Sequence, residues 1–536
     1  MTRLIYLLVA SALITSLALA ACAKPAPSPL PPTTPTTAPT GVSTPSPKAS
    51  PTPAVVPAQT PSYGGVFRWT RRTTPRGFYP PTMATASAQL EPAYDTLLVL
   101  DSKGELAPML ATDWQFSPDF RSFTLTLRKG VKFHDGTRFD AAAVKWNMEL
   151  RKANKFGDLD TVTSIDVVDD YTVRFNISKF TNTFTLPFWG LAGYMASPTA
   201  WEKNGKDWAQ TNAVGTGPFK FVSFEVDTVA KYVRSDGYWQ KGKPYLESYE
   251  ARWIANDQTR SLSFQKGEID GIDQMDAKES NDLMQLGHKN LRSSGTLGSL
   301  FPDSANPDSP LANKKVREAM EYALDRVNVS RALGYGMFDP LNQLAFGSYA
   351  YVPDLKGRPY DPARAKQLLS EAGYPNGFKT TIYMRTGTPL TDAIIAWATN
   401  LKEVGIDATV SPITTGRFTQ LNQEGWKNGL MAQIPSEGTD WLDSVYKNVS
   451  ATITVNISTQ RPPGLQDLLE QALSAPDTAR RKSASQQVVR KISDEAMVIP
   501  LVVYRQGAFV RKGVQGIGWI GTNDGTTGPA DVWISK

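Results

Sequence analysis

Apolar and polar residues alternate in several short stretches of this chain. Phe123, Leu125 and Leu127 are interleaved with Thr124, Thr126 and Arg128, and Tyr171, Val173, Phe175 and Ile177 repeat the same period of two. That period predicts half-buried strands, and a shorter strand-like run spans Val66, Phe67, Arg68 and Trp69. Elsewhere the spacing is helical. Residues 314–333 read as one amphipathic helix with Val316, Met320, Ala323, Leu324 and Val327 inward. A second helix starts at Asp361 as N-cap with Pro362 in its first position, keeps Ala365, Leu368, Leu369 and Ala372 on one face, and stops at Gly373. The turn His134-Asp135-Gly136-Thr137 leads to Asp140, a suitable N-cap for a helix through Trp146 and Leu150. Strands and helices mixed along the whole length predict an α/β (mixed α+β) architecture.

The amino terminus has a different pattern. After Met1-Thr2-Arg3, residues 4–19 form an apolar stretch that fits a signal-peptide core and falls short of the roughly 20 residues of a spanning helix. Leu19-Ala20-Ala21-Cys22 resembles the lipobox of bacterial lipoproteins, in which the cysteine is lipidated and becomes the new amino terminus. A plain secretory signal cut after Ala18-Leu19-Ala20 is the alternative. Residues 24–61 are almost entirely Pro, Thr, Ser and Ala, too polar to offset the entropy of ordering them, so a disordered tether is expected. At roughly 3 Å per residue it would reach on the order of 100 Å from a membrane.

Length and composition narrow the chemistry. The 536 residues suffice for two or three domains, and 41% hydrophobic with 20% charged residues predicts a sizeable core. The net charge of +6 is spread along the chain without a basic run, so no nucleic-acid partner is expected. One cysteine excludes an internal disulfide and a Cys-rich zinc site, and only two histidines, His134 and His288, are present. His134-Asp135 reads as a turn rather than an acid/base or metal pair. Gly215-Thr216-Gly217-Pro218 lacks the Lys-Ser/Thr ending of a phosphate loop and reads as a tight turn. No Gly-x-Ser-x-Gly elbow and no plausible triad base are present, so neither an enzyme nor a metal or other cofactor is expected.

Several stretches together resemble one family. They are Ala93-Tyr94-Asp95-Thr96-Leu97-Leu98 with Leu106-Ala107-Pro108-Met109-Leu110-Ala111; Leu127-Arg128-Lys129-Gly130-Val131-Lys132-Phe133-His134-Asp135-Gly136-Thr137; Gly215-Thr216-Gly217-Pro218-Phe219-Lys220; Asp236-Gly237-Tyr238-Trp239; Gly267-Glu268-Ile269-Asp270; Val316-Arg317-Glu318-Ala319-Met320; and Tyr360-Asp361-Pro362-Ala363-Arg364-Ala365. In order and spacing they resemble the extracellular solute-binding proteins of the oligopeptide, dipeptide and nickel ABC importer class, family 5, in lipoprotein form.

The resemblance implies a two-lobed, periplasmic-binding-protein-like type II fold with a hinge and a solvent-filled gap. The implied limits are residues 63–295 plus 503–536 for the first lobe, with an extra subdomain near 86–197, and 296–502 for the second. It implies a monomer, exported and held by lipid on the outer face of the cytoplasmic membrane, that hands a peptide or other small organic solute to importer permease subunits. The cleft would be lined by Tyr383-Met384-Arg385-Thr386, by the loop at 432–441, and by first-lobe segments near Ala86 and at 189–194. Peptide binders of the family carry an aspartate in that loop for the ligand's ammonium group. This chain departs there, with Gln433 and Ile434 at the approximate position and Glu437, Asp440 and Asp443 following. Arg385 is the candidate for a ligand carboxylate, Trp189, Tyr194 and Trp441 for flat walls, and Gln433 for a polar contact. A nickel-chelate or oligosaccharide binder is an alternative on the same fold. A surface hydrolase is a different class, and it would need a cluster of shifted titratable groups in the cleft, which is not expected.

Overall fold

In the first lobe of the computed structural model, six strands form one sheet in the order Gly507–Val510, Gly271–Met275, Val66–Arg71, Ser248–Trp253, Val229–Arg234 and Phe219–Glu225. The model describes residues 60–75, 77–84, 89–291, 295–433, 440–518 and 525–535. The signal stretch, Cys22, the tether to residue 59, Ala86 and residues 434–439 of the predicted cleft loop lie outside the described residues. Val66–Arg71 is parallel to both of its neighbours. The Phe67 ring stacks on Trp69 and meets Tyr249 edge-on, and both residues are buried in one core with Tyr249 and Phe219.

A second six-stranded sheet has the order Phe338–Pro340, Ile499–Arg505, Gly295–Pro302, Gly429–Gln433, Phe378–Arg385 and Ile406–Ile413. Ile499, Leu501, Val502, Val503 and Tyr504 are all buried, as expected of a strand covered on both faces. Its helices seat Leu368, Leu369, Trp397 and Leu401 on the sheet. Burial of each such side chain contributes roughly 1.5–3 kcal/mol.

A third, antiparallel sheet of Ala111–Phe116, Ser122–Leu127, Thr172–Ile177 and Val162–Asp169 forms a subdomain on the first lobe. The alternation read in the sequence decides its faces: Phe123, Leu125, Val173 and Phe175 are fully buried. Helix Ala141–Ala153 packs there, with the Asp140 carboxylate accepting from the Ala143 N–H. Helix Pro362–Glu371 starts in the same way, Asp361 accepting from the Arg364 N–H.

The predicted helix over 314–333 is two helices, Lys314–Ala323 and Arg326–Gly334. Leu324 is extended, and the Asp325 side chain accepts from the Asn328 N–H to start a new helix. The local capping signal thus overrides a continuous apolar period, and Val327 is 53% exposed rather than inward.

The chain passes between the two large sheets twice. Gly295 pairs with Arg505 in the second sheet, and Gly507 pairs with Met275 in the first. The two passages are bonded together, the Leu291 N–H donating to Ala508 C=O at 2.8 Å. Val503 and Tyr504 therefore still belong to the second sheet. Among the described residues no helix is long and apolar enough to cross a membrane.

Candidate functional site

Two distant segments, at Thr216 and at Tyr238-Trp239, converge on the Asp95 carboxylate. Its Oδ1 accepts from the Tyr238 hydroxyl at 3.0 Å, and its Oδ2 accepts from Trp239 Nε1–H at 2.8 Å and the Thr216 hydroxyl at 3.0 Å. Gly215 and Gly217 let the Thr216 turn lie directly on Ala93 and Tyr94: a Cβ at Gly217 would stand 2.4 Å from the Ala93 carbonyl carbon. Burial pushes the Asp95 carboxyl up to about 6 against these three donors and the Arg128 charge. The expectation of no cluster of shifted titratable groups in the cleft is corrected, since burial shifts Tyr94, Asp95, Tyr194 and Tyr238 upward together. Asp95 is shifted because its own fold buries it, and its carboxylate's partners are all donors.

Asp95 lies on the wall of a cavity of about 350 Å³, together with Glu91, Tyr94, Trp189, Tyr194 and Tyr238. Trp189 closes the short helix Leu186–Trp189, and Tyr194 follows the turn Leu191–Gly193. The Tyr194 ring meets Tyr94 edge-on at 6.4 Å. Burial and the Glu91 charge raise the Tyr194 hydroxyl above its ordinary range. The cavity thus combines flat aromatic walls with carboxylates, and its described lining comes from the first lobe and residues 525–531.

The second-lobe candidates stand apart from it. Arg385 ends strand Phe378–Arg385 exposed, its guanidinium 4.6 Å from the Phe418 ring centre. Gln433 is buried, and its amide donates to Asn422 Oδ1 at 3.0 Å and Asn456 Oδ1 at 2.8 Å. Trp441 is 2% exposed and donates from its indole N–H to Leu344 C=O at 2.6 Å, within a core that includes Phe301 and Val445. The structure thus brings Trp189 and Tyr194 together and leaves Arg385, Gln433 and Trp441 elsewhere. Asp440 caps helix Trp441–Val449 and pairs with Arg481, while Asp443 pairs with Lys447 at 2.7 Å.

Other polar clusters have structural partners. His134 Nδ1 accepts from the Gly215 N–H at 3.4 Å, which leaves Nε2–H to donate to Gly217 C=O at 2.9 Å. Burial lowers this imidazole to about 4. Asp257, Asp276 and Glu279 bring carboxylate oxygens within 4.8 Å of one another. The Arg72 guanidinium occupies their charge, 2.5 Å from Asp257 and 2.9 Å from Asp276.

Sequence reasoning missed Glu91, Asp95 and Tyr238. The available signal was an acid in an apolar run, Ala93-Tyr94-Asp95-Thr96-Leu97, since a buried carboxylate requires partners.

Two hinged lobes with a subdomain on the first define the two-lobed periplasmic-binding-protein class, proteins that capture a ligand. Residues 105–452 match the family model described as bacterial extracellular solute-binding proteins, family 5 Middle. The chain belongs to that family. The glutathione-binding protein GsiB of Shigella dysenteriae is 30% identical over 449 residues, covering 80% of this chain and 86% of that protein. The solved DppA of Helicobacter pylori, in complex with peptide STSA, has a TM-score of 0.74 at 24% identity, covering 89% of this chain and 99% of DppA. NikA of Brucella suis, in complex with Fe(III)-EDTA, has a TM-score of 0.75 at 21% identity, covering 87% and 99%.

Proposed function

We propose that this chain is the capture subunit of an ABC importer, which takes a glutathione-sized peptide or a similar small organic solute between its lobes and delivers it to permease subunits. The carrying observation is the aromatic cavity of Trp189 and Tyr194 on one of two lobes joined by paired passages. The glutathione binder among its relatives supports a peptide-like ligand. On this reading Trp189 and Tyr194 hold the ligand's apolar part. Arg385, exposed and stacked on Phe418, meets its carboxylate as the lobes shut. Gln433 and Trp441 support the second-lobe wall from behind.

The lobes are proposed as 63–295 with 506–536, and 296–505, with the subdomain near 86–197; residues 503–505 join the second lobe because they pair in its sheet. Residues 4–19 serve as the export signal, and lipidated Cys22 anchors the body by the proline-rich tether to the outer face of the cytoplasmic membrane. The protein acts as a monomer and carries out no reaction. The family name supports an extracellular site of action.

The test is to identify by mass spectrometry what co-purifies, then to follow unfolding with glutathione, Met-Leu, Ser-Thr-Ser-Ala and Fe(III)-EDTA. A true ligand should raise stability by roughly 3–4 kcal/mol at 100 to 1,000 times its dissociation constant. No shift with any of them and no co-purified solute would overturn the reading.

A further inference from the structure

The loop before the Trp189 helix touches the second lobe. The Asn182 side-chain amide donates to Ala472 C=O at 2.6 Å and to Ala475 C=O at 3.2 Å. The Asn182 backbone N–H donates to Leu473 C=O at 2.8 Å. These three carbonyls sit at the carboxyl end of helix Leu465–Ser474 or just beyond it, where the last turn has no intrahelical donors. The helix cannot cap itself there. Ala475 is extended, at φ −60° and ψ 124°, and the following residue, Pro476, has no N–H to donate.

A second contact runs alongside. The Lys179 ammonium pairs with Glu470, whose carboxylate also accepts from Gln466 at 3.0 Å and Tyr446 at 3.3 Å. A cation in the last turn of a helix also suits the helix dipole. Both donors come from the subdomain side and every acceptor from the second lobe. Neither lobe gains anything from these bonds by itself, so their whole contribution favours the arrangement in which the lobes meet.

We propose that Asn182 and Lys179 form a latch that caps the carboxyl end of helix Leu465–Ser474 and holds the lobes shut around the captured solute. This rests on the capture reading above and adds its locking residues. The latch also reports on the site. Asn182 is seven positions before Trp189 and is joined to the helix that carries it through Phe184, which is buried in the subdomain core. A ligand that fixes Trp189 therefore also fixes Asn182 in place to cap.

Hydrogen–deuterium exchange on the whole chain tests this, with no added solute and then with glutathione or Ser-Thr-Ser-Ala. The Asn182 amide and residues 465–475 should gain protection with a bound solute. Asn182→Ala and Asn182→Asp should each release solute about tenfold faster, the worth of one to two lost hydrogen bonds. Melting temperature should stay near that of the wild type. Lys179→Glu should release faster by a smaller factor, and the swap K179E/E470K should restore the wild-type rate. Solute binding with unchanged Asn182 exchange, together with a wild-type release rate in N182A, would overturn the latch while leaving capture intact. If no probe binds, capture fails as stated above, and the latch is then judged on the solute-free chain. There N182D must speed exchange across 465–475, and equal exchange would reject it.

Discussion

The Tyr504 hydroxyl lies 3.3 Å from Asp276 Oδ1, joining the end of a second-sheet strand to the start of a first-lobe helix. The same carboxylate receives the Arg72 guanidinium at 2.9 Å, so a first-lobe cation and a second-lobe phenol share one acid beside the passage between lobes. Burial, with Asp276 adding to it, keeps the phenol proton on well above the ordinary tyrosine range, so it remains a donor at physiological pH. Tyr504→Phe keeps the ring, which packs edge-on against Phe338, and deletes only the bond. We expect a stability loss of about 1 kcal/mol and a more open solute-free form. Denaturant melts and the scattering radius of gyration check this; an unchanged radius would mean that the bond does not bias closure.

Asp95 offers a sharper test of the first lobe. Both of its oxygens accept, and neither donates. Asp95→Asn turns one acceptor into a donor that must face either Tyr238 or the Trp239–Thr216 pair. Leaving buried donors without an acceptor costs about 1–3 kcal/mol. The variant should melt measurably lower, and a wild-type melting curve would show that the three donors find other partners.

The contrast between what was legible in the sequence and what was not follows the range of the interactions. The Asp140 and Asp361 caps act within three residues, so composition and position alone identify them. The alternation of Phe123, Leu125 and Leu127 is equally local and marks a strand face. Asp95 could not be read in this way, because its partners lie 121 to 144 positions away. Residues 314–333 carried two local signals in conflict, and the cap at Asp325 prevailed over the period. For Gln433 and Trp441 the segment was legible but the side-chain direction was not. A polar strand end can satisfy itself inward, as Gln433 does on Asn422 and Asn456.

Two buried groups give opposite pH dependences. His134, lowered from 6.5 to about 4 by burial, binds its proton less readily folded than unfolded. Its contribution is present above pH 6.5 and lost as pH falls toward 4. Asp95, raised from 3.8 to about 6, works the other way: its contribution is full below pH 3.8 and lost as pH rises through 6. Melting temperatures between pH 4 and 7 should therefore fall less on acidification in H134Q than in the wild type, and more in D95N. Superimposable slopes for the three proteins would reject both assignments.

The aromatic residues give the most direct test of which side chains meet solute. Trp189 and Tyr194 are half-buried on a cavity wall, whereas Trp441 is enclosed in the second-lobe core with its N–H taken by Leu344. Trp189→Ala should weaken solute binding at least tenfold, since a flat wall contributes mostly contact area to the bound form, and should lower stability only modestly. Trp441→Ala should do the reverse, costing about 3–5 kcal/mol of stability through the cavity it leaves. Calorimetric titration with glutathione and denaturant melts on both variants separate the two roles. A W189A variant that binds as tightly as the wild type would remove the aromatic cavity from the capture site, and the second-lobe face around Arg385 would then be the place to look for the ligand.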